Sequence, residues 1–133
     1  MMDDIRINKS EVIRRCVARV REDYACDPSR LNNYTFQDAI TLNIQRACEA
    51  AIDLAMHEVS ERTLGVPQSS RDAFVMLEKA GVISAPISLL MRNMVGFRNI
   101  AVHDYQDIKV SILQSIVEQH LGDFDKLLAE LNS

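Results

Sequence analysis

Apolar side chains recur three and four positions apart along nearly the whole chain, and only four glycines and three prolines interrupt 133 residues. That spacing is the signature of amphipathic helices, whose buried stripe repeats every 3.6 residues. So few turn-forming residues leave no room for the many reversals of a β-sandwich or barrel. The pattern therefore predicts an all-α fold. Charged residues at 26 % with abundant Leu, Ile and Val argue against disorder. The length suits a single domain over residues 1–133 with its own core.

The stripes divide into four long helices and one short one. Val12, Ile13, Cys16, Val17, Val20 and Tyr24 mark the first, over about residues 8–26. Ser10 or Asn8 is a candidate cap at its start, and Asp27-Pro28 a stop. The second should begin at Thr35, with Asp38 in an approximate capping arrangement, and run to about Arg62 before Gly65-Val66-Pro67. Ile40, Ile44, Ala47, Cys48, Ala51, Leu54 and Ala55 form its stripe. A short third helix follows Ser69 or Ser70, buries Phe74 and Leu77, and closes at Gly81. Ser84 should cap the fourth, with Pro86 in its first turn and a fade near Val102. Asp107 should cap a fifth that extends from Ile108 to Leu131 and is weakened by Gly122. Connections this short favour antiparallel neighbours, hence an up-and-down bundle. Stripes broader than one core needs, together with six Met, suggest a homodimer.

Several function classes fall away. No apolar run approaches 18 residues, so no membrane span is expected. The start, MMDDIRINKS, is acidic and lacks the apolar run of a signal peptide. A cytoplasmic protein is the expectation. Three cysteines, Cys16, Cys26 and Cys48, match neither a disulfide framework nor a zinc pattern and are expected to be reduced. A net charge of -4 argues against coating nucleic acid by bulk charge. Arg14, Arg15, Arg19 and Arg21 read as a solvated face that could also guide RNA. His57 and Glu61 are two ligands without a third, a poor metal site. His120 reads as a satisfied core or interface residue.

One segment departs from the bundle pattern. RNIAVHDY, Arg98 to Tyr105, gathers Arg, Asn, His, Asp and Tyr where a helix should pass into a turn. Arg98 and His103 lie five residues apart, about 140° around an ideal helix. They converge only if the helix ends or bulges between them, or if they meet across two chains. A plain structural role is the competing explanation, since both side chains complement a helix C-terminus.

With this motif in an all-helical chain, the sequence resembles the HepT toxins of the HepT/MntA toxin–antitoxin modules, within the HEPN superfamily. The central helix, the helix opened by Ser84-Ala85-Pro86 and the final helix all fall where that family has them. The resemblance implies the toxin of a type VII module: a metal-independent RNA endonuclease that needs no cofactor and acts as a homodimer. Arg98 and His103 would be catalytic, with Asn99 as a polar support. It further implies an MntA-like nucleotidyltransferase antitoxin that transfers AMP from ATP onto Tyr105. The alternative from another class is a non-enzymatic helical module that binds and regulates a nucleotidyltransferase.

Overall fold

The computed structural model describes residues 3–133; Met1 and Met2, which the single-domain expectation includes, lie outside them. Helix α1 spans Asp4–Tyr24, α2 Tyr34–Glu61, α3 Ser70–Lys79 and α4 Ala85–His103. The last long element is composite: α5 at Val110–Ser115, a turn of wider π-type winding at Ile116–His120, then α6 at Leu121–Leu131. Helix α1 packs on α2, α2 on α4, α4 on α6 and α6 on α1, closing an up-and-down antiparallel bundle with α3 laid against α2 and α4. The buried apolar side chains form one core, with Ile13, Leu31, Ile44, Leu54, Phe74, Met91, Leu113 and Phe124 almost fully enclosed.

Helix boundaries follow local hydrogen bonding. Helix α1 begins four residues before the predicted start, because Asp3 caps it by accepting from the Arg6 N–H at 3.2 Å. Ser10, a candidate cap, is instead buried inside the helix. The helix ends at Tyr24, ahead of Pro28, where Ala25 turns left-handed at φ 51°. Helix α2 is capped by Asn33, whose side chain accepts from the N–H groups of Thr35 and Phe36 at 2.9 and 3.3 Å. Asp38 takes no part in that cap. Ser69 caps α3, and Gly81 follows its end at φ +75°, a backbone state that glycine adopts without strain. Ser84 caps α4 as expected, and Glu130 of α6 accepts from both the N–H and the hydroxyl of Ser84, at 2.7 and 2.9 Å. That contact fixes the start of α4 against the end of the chain.

Two expectations fail at the final element. Asp107 does not cap it; Asp107 ends a short 3₁₀ turn at Tyr105–Asp107, and Lys109 precedes α5 without a side-chain cap. Nor is the element one regular helix. The π-type turn adds width just before Gly122, and it places His120 where its Nδ1 meets the Asp123 carboxylate at 2.8 Å. Such turns often occur where function needs a side chain re-aimed.

One buried charge joins the two longest helices. Glu58 on α2 has no exposure, and its carboxylate accepts from Arg6 of α1 and from Arg62 Nε at 3.0 Å. The Asp3 carboxylate accepts from His57 at 2.7 Å, which holds Asp3 below the usual carboxylate range. His57 is therefore committed to a structural contact. Among the described residues no group of three His, Cys, Asp or Glu side chains could hold a metal ion. No helix there is long and apolar enough to cross a membrane. All three cysteines are free thiols, with Cys16 and Cys48 buried and Cys26 exposed.

Candidate active site

The motif straddles the end of α4. Arg98, Asn99 and His103 lie on the helix, and Tyr105 opens the 3₁₀ turn beyond it. The helix neither ends nor bulges between Arg98 and His103, since α4 continues unbroken through His103 and the Asp104 N–H still donates to Ile100 at 2.8 Å. The two side chains therefore leave α4 in directions about 140° apart. One protomer does not bring them together.

Arg98 points into the protein. Its Nη2 donates to the Ser70 hydroxyl, the first residue of α3, at 3.3 Å. Its Nε is buried with no hydrogen-bond partner. Buried donors are nearly always satisfied, and an orphaned one costs about 1–3 kcal/mol. Arg98 also lies close to Cys48. Burial pushes the Cys48 thiol up to about 12, against the opposing pull of the Arg98 charge. A positive group held half-buried with an unfilled donor is suited to an anionic oxygen.

His103 is exposed at the helix terminus. Asn99, one turn earlier and on the same side of α4 as His103, lines a groove of about 560 Å³ between α4 and the α5–α6 element. The groove is lined by apolar Phe97, Ile100, Ile112 and Ile116 and by polar Arg71, His120 and Asp123. Arg71 crosses α4 at Gly96, where a Cβ would lie 2.9 Å from Nη2, and Nε donates to the Arg92 carbonyl at 3.3 Å. A side chain at position 96 would push the flexible end of Arg71 aside. Leu89, Ile100, Val102 and Ile112 stand exposed on α4 and α5.

Tyr105 is 42 % exposed and turns away toward α2. Its hydroxyl donates to the Asp38 carboxylate, a contact spanning 67 residues of sequence. Burial and then this bond raise the phenol above its ordinary range, while the neighbouring Thr41 hydroxyl works the other way. Tyr105 and Asp38 line a recess of about 500 Å³ with Tyr34, Gln37 and Thr41. Asp38 and Ser70 were not legible as site residues. Asp38 reads as a helix-start signal, and only the approach of the turn after α4 to α2 reveals Tyr105 as its partner.

The arginines of α1 behave as a solvated face. Arg14 pairs with Glu11 at 3.4 Å and Arg21 with Asp125 at 3.9 Å, all well exposed. Contacts like these contribute little to stability.

Comparison with known proteins agrees with this architecture. Residues 11–131 match the HepT-like family, described as ribonuclease HepT-like. The chain is 44 % identical over 127 residues to the mRNA nuclease HepT of Shewanella oneidensis, covering 96 % of each sequence. The tri-AMPylated Shewanella oneidensis HEPN toxin, solved in complex with MNT antitoxin, superposes at a TM-score of 0.93 with 44 % identity and 98 % of each chain covered. A toxin–antitoxin structure with AMP-PNP gives 0.93 at 43 % identity, also over 98 % of each chain. A match this continuous, on a helical bundle that carries RNIAVHDY at the end of α4, establishes that the chain belongs to the HepT-like ribonuclease family.

Proposed function

We propose that this ribonuclease is the toxin of a type VII toxin–antitoxin module and cleaves RNA without a metal, at a site completed by two copies of the chain. The unbroken course of α4 carries the reading. It keeps Arg98 and His103 on separate faces, so the remaining route to a joint site is a second protomer. Leu89 and Ile100, on one side of α4, and Ile112 of α5 are exposed apolar side chains on which that protomer can pack.

RNA supplies its own nucleophile, the 2′-OH beside each phosphodiester. One neutral His103 takes the 2′-OH proton as the 2′ oxygen bonds to phosphorus. The His103 of the other copy, as imidazolium, gives a proton to the departing 5′ oxygen. Arg98 binds the phosphate through its guanidinium and stabilises the pentacoordinate charge. Asn99 supports the site as a polar neighbour. The products carry a 2′,3′-cyclic phosphate and a 5′-OH. Two chains at -4 each bring about -8, so the attraction for RNA must be local to the paired arginines.

The partner is an MntA-like nucleotidyltransferase acting in the same cytoplasm. AMP transferred to Tyr105 places a phosphate and a base two residues from His103, where like charge and bulk oppose RNA. The AMPylated relative bound to its antitoxin supports this regulation.

The test is purified protein, without partner, on total RNA in EDTA. Wild type should yield cyclic-phosphate ends and His103→Ala should not, and expression of wild type alone should arrest growth. RNA left intact by wild type at high protein concentration refutes the enzymatic reading and favours a module that only binds its nucleotidyltransferase.

A further inference from the structure

The Tyr105 hydroxyl is reachable and already engaged. It opens onto the recess of about 500 Å³ beside α2, and within that recess it donates to the Asp38 carboxylate. The contact joins a turn after α4 to the second turn of α2, so local sequence does not enforce it. Asp38 is not needed as a helix cap, which Asn33 supplies, and it belongs to none of the ion pairs among the described residues. A carboxylate free of other duties thus accepts the one proton that Tyr105 must lose to become a nucleophile. Burial and this bond keep the phenol protonated at neutral pH, so free phenolate is scarce and attack needs a proton acceptor in place.

Resting on the reading of Tyr105 as the AMP acceptor, we propose that Asp38 is the general base for that transfer, supplied by the toxin to its own modification. As the Tyr105 oxygen bonds to the α-phosphorus of a nucleoside triphosphate held by the partner, the phenolic proton passes to the Asp38 carboxylate. The bond from the α-phosphorus to the bridging oxygen breaks, and pyrophosphate leaves with that electron pair. The proton on Asp38 is then lost to water. The substrate is therefore an active participant in its own neutralisation. The partner provides the nucleotide and its activation, and the recess provides nucleophile and base.

The test is AMP incorporation at Tyr105 by intact mass, using the full chain, purified partner enzyme and ATP. Asp38→Asn keeps an oxygen that can accept from the phenol but cannot take its proton, and should slow the first transfer by about 100-fold or more. Asp38→Glu restores a base on a longer arm and should recover most of the rate. Melting temperature and affinity for the partner should match wild type in both, because Asp38 is exposed. Wild type modified at Tyr105 with Asp38→Asn modified as fast or faster overturns this proposal alone. Wild type that gains no AMP at Tyr105 overturns the modification reading and this one with it.

Discussion

Replacing Arg98 with Met separates a catalytic arginine from a structural one. Methionine keeps most of the aliphatic stem and removes the guanidinium. The structure then gives opposing terms. The Ser70 hydrogen bond is lost, at a cost of about 1 kcal/mol. The unpartnered Nε–H is also removed, which relieves about 1–3 kcal/mol. The net change should be neutral or mildly stabilising, with a melting temperature within about 5 °C of wild type by circular dichroism. RNA cleavage in EDTA should fall at least about 100-fold, as when one charge-stabilising donor is taken from an active site. Stability kept while activity is lost is the mark of a group held under strain for function. A melting temperature lowered by more than about 10 °C would show that Arg98 holds α3 against α2 and α4 as a strut. Cleavage undiminished in a folded variant would remove Arg98 from the chemistry altogether.

Three further outcomes follow from the structure. Glu58→Gln leaves the charges of Arg6 and Arg62 without their shared carboxylate, and should cost about 2–3 kcal/mol, less than for a fully buried pair because both arginines reach water; a thermal melt should fall by roughly 6–9 °C. Tyr24, pushed up to about 12 by burial and by its bond to Glu118, holds its proton more tightly folded than unfolded; its stabilisation is complete below pH 10 and lost as pH rises from 10 toward 12. Tyr24→Phe should therefore flatten the decline of melting temperature over that range, and an unchanged slope contradicts the assignment. A thiol reagent should modify Cys26 rapidly in the native protein and reach Cys16 and Cys48 only in denaturant; fast modification of all three would mean the α1–α2 core opens readily.

The bundle was legible because burial imposes a period that any helical core must obey. Phe74, Met91 and Leu113 all fall inside as their spacing requires. Helix ends were less legible where several residues could cap equally well. Asp3, Asn8 and Ser10 all offer an oxygen near the start of α1, and the His57 contact distinguishes Asp3 only in three dimensions. The π-type turn escaped for a similar reason. Its one extra residue leaves the apolar spacing of Leu113, Ile116, Val117 and Leu121 compatible with an ordinary helix. Arg98, Asn99, His103 and Tyr105 were legible as a motif, but their directions were not. That Arg98 turns toward Ser70 and Tyr105 toward Asp38 depends on which helices happen to face α4. Those partners lie 28 and 67 residues away, beyond any local pattern.

The straight run of α4 has a consequence for dose. If the site is completed by two copies, as proposed, a protomer alone is inert and activity tracks paired chains, not total chains. Below the dissociation constant of the pair, cleavage should rise with the square of the chain's concentration, and above it only in proportion. Trace synthesis would then be harmless and a modest surge abruptly damaging. The partner needs only to keep the unmodified pool below that threshold, without capturing every copy.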